Sequence, residues 1–128
     1  GSQMSQKTCF SSGTAYPGGQ CVDSGHMVFA SALAVDERTL DRAAEATTPA
    51  EETRIVLQRI EKILAEAGCT MRDVVKATVF FTDEAIRFDV LFAFRDYFAP
   101  GPFPSRGSFG IGLWRDCRVQ IDVVAVRS

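Results

Sequence analysis

The chain has 128 residues, 46% of them hydrophobic, with 14 basic and 16 acidic side chains and a formal net charge of −2. This size fits one globular domain, which buries roughly two-thirds of its unfolded surface and needs no staple. The slightly acidic balance gives no electrostatic reason for tight nucleic-acid binding, and no apolar run approaches the roughly 20 residues of a membrane span.

Gly1-Ser2-Gln3 before Met4 reads as a cloning remnant, which leaves residues 4–128 as a single domain. The four cysteines, Cys9, Cys21, Cys69 and Cys117, are widely scattered, and no Cys-x-x-Cys occurs. With no signal peptide in view, free thiols in a reducing, cytoplasmic compartment are expected. His26 is the one histidine. It sits in Ser24-Gly25-His26-Met27, a hairpin-turn pattern, where a solvated side chain is expected. No ligand set with zinc spacing exists, so neither a metal nor another cofactor is expected.

In chain order, residues 8–11 and 17–24 are polar and rich in glycine and serine, with a turn at Tyr16-Pro17-Gly18-Gly19. Val28–Leu33 predicts a short apolar strand, and residues 34–47 an alanine-rich loop with some helical turn. Thr48-Pro49-Ala50-Glu51 is a capping box with proline at the first helical position. Thr53, Val56, Leu57, Ile60, Ile63, Leu64 and Ala67 then recur at helical spacing, with Gly68 as the stop. Arg54, Arg59, Glu61, Lys62 and Glu66 fall on a solvated face.

Val74–Phe81 has the β-branched and aromatic content of a strand, with Val75, Ala77, Val79 and Phe81 sharing one face. A second helix, about 84–98, carries Phe88, Leu91, Phe92, Arg95 and Phe98 on one side. Ala99–Pro104 excludes helix and central strand. Arg106 opens a strand-like stretch over Ser108–Leu113, and Val119–Val126 is a second apolar strand interrupted by Asp122. Strands, helix, strand, helix and two strands predict an α+β domain, a mixed sheet with both helices packed on one face. The other sheet face then needs cover, which a homo-oligomer supplies.

A guanidinium and a carboxylate inside a sheet are costly to bury without partners. Arg106 and Asp122 together suit a grip on a small carboxylate with a water held beside it. The bland alternative for Arg106 is a structural ion pair. For Asp122 it is an edge cap or a pair with Arg115 or Arg118. Phe109 and Trp114 fit packing as well as a ligand wall.

Several stretches resemble the Rid family, the reactive intermediate deaminases also called YjgF-like or endoribonuclease L-PSP proteins. Glu52-Thr53-Arg54-x-Val56-Leu57-x-x-Ile60-x-x-Ile63-Leu64-x-x-Ala67-Gly68 and Asp73–Phe80 are similar to its central signature. Gln20-x-Val22-x-x-Gly25-x-x-Val28-Phe29-x-Ser31, Pro104-x-Arg106 and Asp122 are similar to its flanking parts. The resemblance implies a chorismate-mutase-like (YjgF-like) fold and a homotrimer with ligand clefts between subunits. It also implies cofactor-free hydrolysis of carboxylated enamines and imines, such as 2-aminoacrylate-type species, to a keto acid and ammonia.

Carried over residue by residue, Arg106 binds the substrate carboxylate and Asp122 orients or activates water. Ser31 and Ser108 lie along the cleft, and Phe109 lines it. Departures fall at Gly18, with Tyr16 two residues earlier in place of the usual tyrosine, and at Ala32, Leu91 and Ser108. Asp122 is itself shorter than the usual glutamate. Leu91 and Ala32 point to a larger or less polar ligand. A specialised pathway enzyme of the aminomuconate-deaminase type and a non-catalytic metabolite-binding module stand as alternatives. RNA cleavage is disfavoured by the charge balance and the missing catalytic histidine pair.

Overall fold

The computed structural model describes residues 8–10, as backbone, and residues 21–127. The turn at residues 16–19 and the site candidate Tyr16 lie outside the described residues.

The elements are β1 (Thr8–Phe10), β2 (Cys21–Asp23), β3 (Met27–Leu33), α1 (Pro49–Glu66), β4 (Val74–Phe81), α2 (Arg87–Phe98), β5 (Ser105–Gly110) and β6 (Val119–Val126). Short 3-10 turns at Met71–Asp73 and Glu84–Ile86 lead into β4 and α2. The strands form one sheet in the order β1-β2-β3-β6-β4-β5. The β4–β5 pair is parallel and the other pairs are antiparallel, so the sheet is mixed, as expected.

The first helix forms where the sequence places it. Thr48 accepts a hydrogen bond from the Glu51 amide at 3.1 Å, and Pro49 fills the first turn, where its missing N–H costs nothing. Gly68 ends the helix at φ +78°, a left-handed conformation that suits glycine. The helical stripe of Val56, Leu57, Ile60, Ile63 and Leu64 is buried against the sheet. The sheet answers with every second residue: Val28, Ala30 and Ala32 from β3, Ala77, Val79 and Phe81 from β4, and Val119, Ile121, Val123 and Ala125 from β6. Both helices lie on this face, and the Tyr97 hydroxyl of α2 donates to the Glu61 carboxylate of α1.

Four expectations are corrected. Cys21–Asp23, in a stretch read as polar and rich in glycine and serine with no strand assigned to it, pairs with β3 because the hairpin at residues 24–26 folds it back, with Ser24 N–H bonding the Met27 carbonyl at 2.9 Å. Val75 does not share the face of Ala77, Val79 and Phe81. A register shift between Val74 and Lys76 turns it out to 49% exposure. In α2 the core face is Val90, Leu91, Phe94 and Phe98, whereas Phe88 and Phe92 are 63% and 50% exposed. The strand that carries Arg106 runs over Ser105–Gly110 and ends before Ile111.

One buried charge was not anticipated. Glu52, fully buried in α1, accepts from Arg118 Nε at 2.7 Å and from the amides of Arg118 and Val119 at 2.7 and 3.2 Å. Arg118 is thereby committed to Glu52, and Arg115 to Asp41 at 3.1 Å, so neither is the partner of Asp122. Cys21, Cys69 and Cys117 are all buried, and Cys69 and Cys117 are free thiols. Among the described residues no helix is long and apolar enough to cross a membrane.

Candidate functional site

Arg106 and Ser108 lie on the edge strand β5, and their register decides where they face. Arg106 pairs with Ala77 and Ser108 with Val79, both on the helix-covered side of β4. Register partners on adjacent strands share a face. The side-chain contacts agree: Ser108 Oγ accepts from Arg87 Nη1 of α2 at 3.0 Å. Arg87 is itself fixed by Glu84 at 2.8 and 2.7 Å and lies 4.4 Å from the Phe81 ring centre.

Arg106 has no such ties. Its residue is exposed, and its guanidinium has no hydrogen-bond or ion-pair partner among the described residues. A planar fork of donors on a rigid strand, left unneutralised, is suited to bidentate capture of a carboxylate.

Asp122 lies on the opposite face. It pairs with Ser31 of β3 on one side and Thr78 of β4 on the other, and it is half-buried. Thr78 also pairs with Gly107, so Gly107, Thr78, Asp122 and Ser31 form one polar row across four strands. The Asp122 carboxylate accepts from Gln120 Nε2 at 3.0 Å, and its remaining lone pairs are available to a water or ligand. On either side of the row lie apolar side chains. Phe109 and Phe80 are 6.2 Å apart between ring centres, and Met27 and Phe29 are 44% and 43% exposed.

The site candidates therefore divide into two groups within one chain. Arg106, Ser108 and, on α2, Leu91 belong to the helix side. Ser31, Asp122 and Phe109 belong to the open side. The expected joint grip of Arg106 and Asp122 does not form inside a single chain, because their strands are two spacings, roughly 10 Å, apart and their side chains leave opposite faces.

Ala32 is on the helix side too, but on β3, away from Arg106. It lines a cleft of about 430 Å³ with Leu33, Val35, Asp36, Arg59 and Lys62. That cleft offers no free cation of the Arg106 kind at its arginine, because Arg59 spends Nη1 on the carbonyls of Leu33 and Val35, each at 2.7 Å. Trp114 is held by a 2.8 Å hydrogen bond from its indole N–H to the Leu40 carbonyl. Among the described residues no group of three or more His, Cys, Asp or Glu side chains could hold a metal ion.

Sequence reasoning missed Arg87, whose contact with Ser108 joins residues 21 positions apart. The signal was present in Asp83-Glu84, a helix-start acid three residues before an arginine, which favours an intrahelical pair.

The profile of the family described as Endoribonuclease L-PSP matches residues 11–127. A protein of Salmonella typhimurium named 2-iminobutanoate/2-iminopropanoate deaminase is 31% identical over 112 residues, covering 84% of this chain and 85% of that one. A bovine protein of the same name is 37% identical over 79 residues, 61% of this chain and 57% of that one. The crystal structure of Escherichia coli TdcF with bound serine superposes with a TM-score of 0.79 at 28% identity, covering 91% of this chain and 92% of the other. With a profile match across nearly the whole chain and a shared fold, this protein belongs to the endoribonuclease L-PSP family, the Rid/YjgF proteins.

Proposed function

We propose that this protein hydrolyses a small carboxylated imine, or the enamine that tautomerises to it, to a keto acid and ammonia. The observation that carries the proposal is the exposed Arg106 on an edge strand, whose guanidinium has no hydrogen-bond or ion-pair partner among the described residues. Relatives named as imine deaminases, and TdcF with serine bound, support a carboxylated, nitrogen-bearing ligand.

Arg106 binds the carboxylate through two charge-assisted hydrogen bonds and fixes the imine carbon in space. Asp122 orients a water and takes its proton as oxygen bonds to that carbon. That proton is returned to nitrogen, which gives the carbinolamine; the Asp122 carboxylate then passes the hydroxyl proton to the amino nitrogen, so that the C–N bond breaks and ammonia departs as the carbonyl forms. Ser31, in register with Asp122, is placed to hydrogen-bond the same water or the nitrogen.

Because Arg106 and Asp122 leave opposite faces of the sheet, the reaction needs both groups from different copies. We therefore place the working site between subunits of a homo-oligomer, a trimer by analogy with the family. The uncovered Met27, Phe29 and Phe109 give the open sheet face an apolar surface to bury in such an assembly.

The test is keto-acid release from an imine generated in place by an amino-acid oxidase. Wild type is expected to accelerate release over the uncatalysed rate, and Arg106→Ala to abolish the acceleration. Equal rates with the two proteins would remove the basis of the proposal.

A further inference from the structure

The substrate's own side chain has a place in the structure, and its chemistry can be read from α2. This step rests on Arg106 as the carboxylate anchor proposed above. Two contacts give the direction in which the chain passes β5, one from the 3-10 turn at Glu84–Ile86 and one from the first residue of α2. Glu84 Oε1 comes within 3.5 Å of where a β-carbon on Gly110 would stand, and Arg87 bonds Ser108 at 3.0 Å. Advancing along the helix therefore means retreating along the strand. One further helical turn, four residues or roughly 6 Å, matches two strand residues, roughly 6.6 Å. On that count, the turn after Arg87 brings Leu91 level with Arg106.

The rotation of α2 sets which side chains surround that point. Tyr97 marks the side that meets α1, through its bond to Glu61, and Val90, Phe94 and Phe98 mark the side that meets the core. At about 100° per residue, Phe88 is half a turn from Tyr97, and Leu91 lies between Phe88 and the core face. The flank turned away from α1, toward the β5 edge, is thus Leu91, Phe88 and Phe92. The Phe88 and Phe92 rings are 5.7 Å apart, and they are 63% and 50% exposed. A soluble helix gains nothing by showing water two adjacent phenyl rings, so a second apolar surface is expected on them.

We propose that Leu91, Phe88 and Phe92 form an apolar subsite that selects 2-imino acids with branched or aromatic side chains over those with a methyl group. Leu91 forms the floor beside Arg106, and the phenyl pair forms the outer wall. Arg95 is turned over the Phe92 ring at 4.8 Å and bonds Asp96 at 3.1 Å.

The experiment measures affinity of the intact protein for product-like keto acids by titration calorimetry: phenylpyruvate and 4-methyl-2-oxopentanoate against pyruvate. The larger acids are expected to bind at least about tenfold more tightly, given the apolar area each adds. Phe88→Ser and the Phe88→Ser/Phe92→Ser double variant, both at exposed positions, are expected to shrink that ratio to a few-fold. A ratio near one in wild type, a ratio favouring pyruvate, or a ratio untouched by the double variant overturns the subsite. Binding that survives Arg106→Ala overturns it too, since the anchor is then elsewhere. The two proposals fail separately. Discrimination among keto acids without imine turnover sinks the hydrolase and keeps the subsite. Arg106-dependent turnover without discrimination does the reverse.

Discussion

Arg106 and Asp122 flank β4 from its two neighbouring strands and are one residue out of step: Arg106 of β5 pairs with Ala77, and Asp122 of β6 with the next residue, Thr78. That single step sends their side chains to opposite faces, since alternate residues of a strand point to opposite sides. A one-residue slip of β5 would bring them to one face, but it would also carry Ser108 off Arg87. Complementation tests the consequence. Arg106→Ala and Asp122→Asn are each expected to be inactive alone. When the two are mixed under conditions that exchange subunits, roughly a quarter of the sites in a cyclic assembly regain both groups. Activity is expected to return toward that level. A mixture as inactive as its components would mean that both groups must come from one chain.

Glu52 is the most consequential buried charge in the described core. It has three donors, two of them backbone amides at the start of β6, so it joins α1 to the strand that carries Asp122. Glu52→Ala strands those donors and is expected to cost about 3–5 kcal/mol. Arg118→Ala is expected to cost less, because the two amides still hold the carboxylate. Urea unfolding of the single and double variants gives the coupling, expected at about 1–3 kcal/mol. Additive losses would show that the pair does not act as a unit.

What the sequence reveals about this protein follows how local each interaction is. The Thr48 cap, the Val56–Leu64 stripe and the Gly68 stop all act within a turn or two of helix, and α1 lies where they place it. The apolar runs of β4 and β6 are legible for the same reason. Arg106 and Asp122 are recognisable as unusual residues for a sheet, but the face each one takes depends on β4, which inserts between β5 and β6. The partner of Glu52 is 66 residues away, and periodicity carries no trace of it. Phe88 and Phe92 fit a helical apolar stripe on paper. In the fold α1 and the sheet occupy the flank of Val90, Phe94 and Tyr97, which leaves the two phenylalanines outside.

Alkaline stability is set partly by thiols. Burial, reinforced by Glu52 and Asp116, pushes the Cys117 thiol up to about 11, and burial raises the Cys69 thiol as well. A folded-state value above the unfolded one means that the fold favours the neutral thiol. The resulting stabilisation is whole below the unfolded thiol value, roughly 8.5–9, and is lost as pH rises toward 11. Tyr97 is raised too, by burial and then by Glu61, but its contribution starts to decline only from about 10, the ordinary phenol value. Between pH 9 and 10 the fall in stability is therefore expected to come from the cysteines, and Cys117→Ala is expected to flatten it. An unchanged slope in that variant would place the titration elsewhere. At pH 8 native Cys117 is expected to react with a disulfide reagent far more slowly than in urea.

Asp122 distinguishes an enzyme from a binding module on the same scaffold. Asp122→Asn keeps the shape of the side chain and an oxygen able to accept from Gln120 Nε2, so the row with Thr78 and Ser31 should persist. The variant loses the ability to take a proton from water. If Asp122 is the base, turnover is expected to fall by about 10²–10⁴. Keto-acid affinity, which depends on Arg106, is expected to change by no more than a few-fold. The measurement is kcat for imine hydrolysis alongside the shift in melting temperature with saturating pyruvate, compared between wild type and variant. Full kcat in Asp122→Asn would assign water activation to another group. A wild-type protein that is stabilised by pyruvate through Arg106 but turns over no imine would be a carboxylate-binding module.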